Sequence, residues 1–301
     1  MNIRPSSFFV SIGLLFLSCF AAWSEAAGII ALKSAEIKPY NAALEGFRSS
    51  FNDDITEIVM TETEPAEVSR KLHHSGATAI FAIGLDALNL ARSVRDVPVI
   101  YAMVPHAPAQ NSDKKPISGI SMHIPPDKYI SSMLDVFYGA KRIGVIYDPK
   151  NSEAYIREAV QSAEARGVEL VLKKASSTAE IPSLVDSMKD RIDVFWMLPD
   201  ATVITPETVK YLLLFSFQNK VPVFTFSRKY VEVGCTAGLY TAPFDMGAQA
   251  GEMAKKILNE KNPKAIRADA RKTVLAVNRK IIKKLGINVR DDVLKRSENV
   301  D

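Results

Sequence analysis

Three acidic residues stand where short apolar runs give way to helical patterns, and each could hold a ligand cation. Asp200 follows the run DVFWML, Asp148 follows IGVIY, and Asp86 follows AIFAI and Gly84. A carboxylate beyond a strand end can accept from an ammonium group. It can equally be a helix N-cap, a turn residue or a first-turn acid, so both readings stand for all three. Gly84, Ser34 and Ser152 offer the complementary chemistry. Glycine lets the backbone approach an anion, serine adds a hydroxyl donor, and free N–H groups at a helix start favour a carboxylate or phosphate. Tyr40, Tyr101, Phe226 and Tyr230 lie near the same points. They could clamp a ring-bearing ligand or pack in a core. Trp196, inside a strand run, reads as core.

Other chemistries lack their residues. His73 and His74 are adjacent on a helical pattern, whereas a metal pair wants i, i+4 spacing. His106 and His123 are isolated and could line a cleft. There is no G-x-S-x-G elbow, no P-loop and no G-x-G-x-x-G. Cys235 has no histidine near it in sequence and reads as a buried or hinge cysteine. With Cys19 the only other cysteine, a disulfide scaffold and a Cys-rich zinc site are excluded.

The candidate residues need elements to hold them, and the hydropathy pattern supplies these. Apolar runs at 28–32, 55–60, 79–83 and 97–103 alternate with helical spacing over 39–51, from Pro65, and over 84–91. A connecting strand at 117–122 and a helix from Pro125 to about Tyr138 follow. The rhythm restarts with strands at 143–147, 168–173, 193–198 and 221–226 and helices at 152–166, 180–189 and 205–219. Thr205 is placed to cap the last of these, with Pro206 at its first position. A strand at 237–240, a helix over 243–258, a strand at 274–277 and a helix over 279–285 complete the chain. Such alternation predicts parallel βαβ units with helices on both sheet faces. Two series, each with a fresh start, predict an α/β fold of two doubly wound lobes. The alternative is one eight-stranded barrel, whose regular rhythm the stretch from Pro105 to Pro126 breaks.

Ligands of open parallel sheets bind beyond the carboxyl ends of the strands. That selects the loops Lys33–Asn41, Gly84–Asp86 and Met103–Pro108 in the first lobe. In the second it selects Asp148–Ser152, Pro199–Thr202 and Ser227–Tyr230.

The chain has 301 residues, 47% hydrophobic and 24% charged, a globular composition with length for about two domains. Its net charge of +4 is too small to argue for nucleic acid. The charge is uneven, with 14 basic and 7 acidic residues in 251–301. This basic end is either a docking patch for anionic lipid or protein, or a solvated helix face. The apolar run Phe8–Phe20, after Arg4 and before Ser24-Glu25-Ala26-Ala27, is too short to span a bilayer. It reads as a secretory signal over residues 1–26, with a short buried helix or retained anchor as the alternative. Lipid attachment at Cys19 is a second alternative, although Phe16 stands where a lipobox usually has leucine. The mature chain is thus expected outside the cytoplasm.

Several segments together resemble one family. They are Pro39-Tyr40-Asn41-Ala42-Ala43-Leu44-Glu45-Gly46-Phe47, the stretch KRIGVIYDP over 141–149, and Val221-Pro222-Val223-Phe224. The tail adds Gly247, Gly251-Glu252-Met253-Ala254, Ile257-Leu258, Asn278, Lys284-Leu285-Gly286-Ile287 and Leu294-Lys295-Arg296. In order and spacing these resemble the ABC transporter substrate-binding family that includes tryptophan/tyrosine-type binding proteins. The resemblance covers nearly the whole mature chain. It implies a type I periplasmic binding fold, with two lobes joined by three crossover strands around a ligand cleft. Lobe one is then expected at 28–140 plus 236–270 and lobe two at 141–235 plus 271–301. The implied ligand residues are Ser34, Gly84, Leu85, Asp86, Met103, Asp148, Ser152, Asp200 and Ser227, and Tyr40 joins them from its place near the same loops. In that reading Asp200 holds a cationic group, the helix starts at Gly84 and Ser152 hold an anionic one, and aromatics clamp the body. Family members often carry Thr-Asp-Asn where this chain has Pro199-Asp200-Ala201, and a small residue and Thr after the third strand where it has Gly84-Leu85-Asp86. The implied protein is a monomer without cofactor or nucleic acid that delivers a small ligand, such as an amino acid, to an ABC permease. A sensory module for a membrane receptor and a secreted hydrolase are the competing readings.

Overall fold

The apolar runs AIFAI and VIYAMV are buried along their whole length, which requires helices on both faces of their sheet. The computed structural model describes residues 28–94, 97–105, 117–260 and 264–300. The expected signal segment over 1–26, with Cys19, and His106 lie outside them. The first series runs β1 (Ile29–Lys33), α1 (Lys38–Ser50), β2 (Ile55–Val59), α2 (Pro65–His74), β3 (Ala79–Ile83), α3 (Leu85–Ala91), β4 (Val99–Val104) and β5 (Ile117–Ser121). The chain then crosses into α4 (Pro126–Val136), β6 (Arg142–Tyr147), α5 (Pro149–Glu164), β7 (Glu169–Lys174), α6 (Ile181–Asp186) and β8 (Val194–Trp196). After these come α7 (Pro206–Asn219), β9 (Val223–Thr225), α8 (Arg228–Glu232) and β10 (Ala237–Thr241). It crosses back into α9 (Pro243–Asn259) and β11 (Arg267–Asp269). A third crossing leads to β12 (Thr273–Val277), α10 (Arg279–Leu285), α11 (Asp291–Arg296) and β13 (Glu298–Asn299).

The strands form two sheets, one of six strands in the order β11-β5-β4-β3-β1-β2 and one of seven in the order β13-β12-β10-β9-β8-β6-β7. The fold is therefore the expected pair of doubly wound lobes. Pairing is parallel throughout the first sheet. In the second, β12 runs antiparallel to β10. The sheet pairings also correct the expected division of the chain. β10 joins β9 in the second sheet rather than belonging to lobe one. α4 packs through Tyr129, Ile130 and Met133 into the core of the second sheet, so the first crossing lies at 122–125 and not near 140. Both elements sit beside a crossing, where sequence order does not determine which sheet offers the partner strand.

Local rules explain most element ends. Thr205 and Thr208 form a capping box at α7, with Pro206 at the first turn. α5 starts three residues before the expected Ser152, because Asp148 accepts from the Lys150 N–H and Pro149 suits the first position. α1 buries Ala43, Leu44 and Phe47 at helical spacing. Its neighbour α9 comes so close that a Cβ on Gly247 would lie 1.8 Å from the Ala43 carbonyl oxygen. Only glycine permits that approach.

The crossings are fastened to the lobes differently. On the first, the Ile124 carbonyl accepts the Tyr155 hydroxyl of α5 at 2.9 Å. On the third, the Arg271 guanidinium binds both Glu252 carboxylate oxygens at 2.9 and 3.0 Å, and Asp245 lies within 3.2 Å. Ala242 N–H donates to the Lys272 carbonyl at 3.2 Å, tying the second crossing to the third. Part of the basic C-terminal charge is thus paired internally, as are Arg290 and Arg296 with Asp135. No helix among the described residues is long and apolar enough to cross a membrane.

Candidate functional site

In each sheet the strand order reverses beside the strand that opens the series. The reversal lies between β1 and β3 in the first sheet and between β6 and β8 in the second. Such switch points leave a crevice at the carboxyl ends of the two strands. The residues leaving those four strands are Ser34, Gly84, Asp148 and, four residues past the end of β8, Asp200. Two mouths therefore collect residues that sequence reasoning had selected one by one.

The first mouth is built around Gly84. Ser34 N–H donates to the Ile83 carbonyl at 3.0 Å, and Ser34 Oγ accepts the Ala87 N–H at 2.9 Å. Gly84 takes φ +93°, and a Cβ there would lie 2.6 Å from Ser34 Oγ and 2.7 Å from the Tyr40 hydroxyl oxygen. The missing side chain is thus what brings the two hydroxyls together. Ser34 accepts from Ala87, so its O–H remains available to donate. The first-turn N–H groups of Leu85 and Asp86 have no intrahelical acceptor. Leu85 is 45% exposed at the rim, and the exposed Asp86 carboxylate is unpaired among the described residues. Burial, and secondly the Asp86 charge, raises the Tyr40 phenol above its ordinary pKa and keeps it a neutral donor. Met103, expected at this mouth, instead turns its side chain into the core between the first sheet, α1 and α9, from a backbone at φ +60°. Its place in a strand that is buried throughout decides this.

The second mouth is a staple of two carboxylates. Asp200 is 1% exposed. Its Oδ2 accepts from Asp148 N–H at 2.9 Å and Ser152 Oγ at 2.8 Å. Its Oδ1 accepts from Asn151 Nδ2 at 2.9 Å and Thr202 N–H at 3.0 Å. A carboxylate has about four acceptor sites, so none is left for a ligand cation. Asp200 fastens the loop after β8 to the start of α5, which corrects its expected role. Asp148 accepts from Lys150 N–H at 2.9 Å and Thr202 Oγ1 at 2.8 Å. The Lys150 N–H and then the Thr202 hydroxyl hold its carboxyl below the usual aspartate range. The next two amides of α5, Asn151 and Ser152, already donate to the Asp148 carbonyl at 2.9 Å. The helix start at Ser152 therefore offers no free amide to an anion, a second correction. Ser227 leads into α8 beside the edge-to-face pair Phe226–Tyr230, whose ring centres lie 5.4 Å apart.

Other candidates take structural places. Trp196 is core, as read, and Tyr101 is buried on the α2 and α3 side of the first sheet. Cys235 is wholly buried, which pushes its thiol pKa up and makes it inert. His123 packs edge-on against Tyr155. Two residues were missed. Asn151 bridges Asp200 and Thr202. Lys33, which ends the apolar run of β1, is only 2% exposed and has three polar partners. Its signal was a lone cation closing a buried strand, with Glu36 and Asn41 just beyond.

Of the cavities described, one joins the carboxyl ends of β4, β5 and β11 to His123 of the first crossing, and none holds residues of both mouths. Another of about 440 Å³ lies under α2 at the amino end of β1, away from both mouths.

Comparison with known proteins agrees with this architecture. The family model described as ABC transporter substrate binding protein matches residues 27–301. A tyrosine-binding protein of Clostridioides difficile (strain R20291) is 24% identical over 240 residues, covering 77% of this chain and 68% of that protein. Among solved structures, the ligand-free, open form of a substrate-binding protein with adhesive properties from Clostridium difficile is similar with a TM-score of 0.76 at 23% identity. It matches 91% of this chain and 99% of its own. A domain from Streptococcus pneumonia in complex with L-Trp is similar with a TM-score of 0.63 at 22% identity and the same coverage. At these identities the structures speak for the fold. With the family model spanning the whole described chain, this protein belongs to the ABC transporter substrate-binding protein family.

Proposed function

We propose that this protein captures an amino acid between its two lobes and presents it to an ABC permease. The observation that carries the reading is the pair of switch-point mouths on two sheets joined by three crossings. Such a hinge lets one ligand contact both lobes and thereby favour the closed state. In lobe one, the Ser34 and Tyr40 hydroxyls and the first-turn amides at Leu85 and Asp86 form a donor set for a ligand carboxylate. Asp86, the unpaired acid at that mouth, takes the ammonium group in place of the saturated Asp200. In lobe two, Ser227 and the Phe226–Tyr230 pair meet the side chain, and an aromatic ring suits them best. The names of the tyrosine-binding relative and the L-Trp complex support the same class. The protein works as an exported monomer without cofactor, and its chemistry is binding rather than catalysis.

Calorimetric titration of the mature protein with L-tyrosine, L-tryptophan and a panel of other amino acids and small organic acids tests this. Saturable one-to-one binding of an amino acid is expected, with a matching rise in melting temperature. Absence of binding across the amino acids, or tight binding of a ligand without a carboxylate, contradicts it.

A further inference from the structure

The two lobe-one hydroxyls are each one residue away from a polar cluster built on a buried lysine with partly exposed partners. Ser34 follows Lys33, and Tyr40 precedes Asn41. The Lys33 ammonium donates to Asn41 Oδ1 at 2.6 Å and to Glu36 Oε2 at 2.5 Å, and Glu57 Oε1 lies 2.6 Å away. Asn41 closes the ring by donating to Glu36, and Arg48 pairs with Glu57 at 3.2 Å. One cation thus ties together the end of β1, the loop after it, the first turn of α1 and the neighbouring strand β2. Two cations and two carboxylates balance, so the cluster adds little net field at the mouth. Burial disfavours the Lys33 charge, but Glu36 and Glu57 outweigh it and raise the pKa, so the ammonium is charged throughout the physiological range. A buried cation held by several partners is a directional fastener; its partly exposed partners Glu36, Glu57 and Arg48 turn to water when it is lost, so its removal frees the segments they tie.

We infer that Lys33, acting through Asn41, is the positioning residue of the ligand mouth in lobe one: its bond to Asn41 fixes the separation of the Ser34 and Tyr40 hydroxyls across Gly84. The inference rests on the reading of those hydroxyls as ligand donors. It assigns function to a side chain that does not itself face the mouth.

The test has a readout independent of any ligand. The Ala87 N–H donates to Ser34 Oγ, so its hydrogen exchange reports whether Ser34 is held in place. Lys33→Met and Asn41→Ala are compared with Lys33→Arg and with the unaltered protein. In both disrupting variants Ala87 exchange is expected to rise about tenfold or more, while amides within β3 such as Phe81 keep their rates. Affinity for L-tyrosine and L-tryptophan is expected to fall about tenfold or more in the same variants. Lys33→Arg keeps the charge and restores most of both. If Lys33→Met does not fold, Asn41→Ala carries the test, because it leaves the ammonium paired with both glutamates. Unchanged Ala87 exchange overturns the inference whatever the affinity does. A uniform rise at all amides also overturns it, since Lys33 then serves only global stability. If the unaltered protein binds neither amino acid, the ligand reading fails and Ala87 exchange alone decides the role of Lys33.

Discussion

Replacing Asp200 by asparagine keeps the side chain's shape and turns one acceptor oxygen into an NH2 group. Whichever way the amide lies, the NH2 faces two donors. They are either Asp148 N–H and Ser152 Oγ or Asn151 Nδ2 and Thr202 N–H. The amide chooses the side with Ser152, whose hydroxyl can rotate to accept from it. One bond is then recovered as a neutral one, the Asp148 N–H is left facing a donor, and the two remaining bonds lose their charge assistance. At about 1.5–3 kcal/mol for a hydrogen bond to a charged group, the net loss is about 2–4 kcal/mol. For a chain of this size, at about 2.1 cal/mol/K per residue, that corresponds to a fall in melting temperature of about 3–7 °C. Calorimetric melting of the ligand-free protein reads this directly. A ligand-contacting Asp200 would behave differently: the variant would melt within about 1 °C of the parent and lose affinity alone. That result would refute the staple.

Three further outcomes follow from the same geometry. Gly84→Ala forces a Cβ onto the Ser34 and Tyr40 hydroxyl oxygens at φ +93°. It should abolish amino-acid binding in calorimetry while the lobe-two amides keep their exchange protection. Tyr40→Phe removes one donor without altering shape and should weaken carboxylate-bearing ligands by about tenfold. Equal affinity in that variant would take Tyr40 out of the site. Asp148 has a lowered folded-state pKa, so it stabilises the fold above the ordinary aspartate range of about 3.9 and loses that contribution as pH falls through the lowered value. Asp148→Asn, which retains an N-cap, should be less stable than the parent at neutral pH, and the gap should close on acidification. A gap that widened toward acid would reverse the sign of the argument.

Much of this architecture was legible in local pattern. Fully apolar runs such as AIFAI and IGVIY indicated strands covered on both faces, and the spacing of Ala43, Leu44, Phe47 and Phe51 indicated α1. Sheet membership of β10 and α4 was not, because it depends on partners far along the chain. β11, α8, α11 and β13 are two to six residues long and carry too few positions for a period to show. The site divides in the same way. That Ser34, Gly84, Asp148 and Asp200 stand at mouths followed from strand ends alone. What Asp200 does there was hidden, since three of its four donors lie 48 to 52 residues away in sequence. A carboxylate at a strand end looks the same whether it awaits a ligand or is already saturated by its own fold.

The central claim is that one solute bridges both lobes and closes them. Small-angle X-ray scattering of the protein from residue 27 onward, ligand-free and saturated with whichever amino acid binds in calorimetry, tests it most directly. The account predicts a smaller radius of gyration on saturation, reversed when the ligand is dialysed away. Saturable binding with an unchanged radius of gyration would contradict it, for the ligand would then be held by one lobe alone.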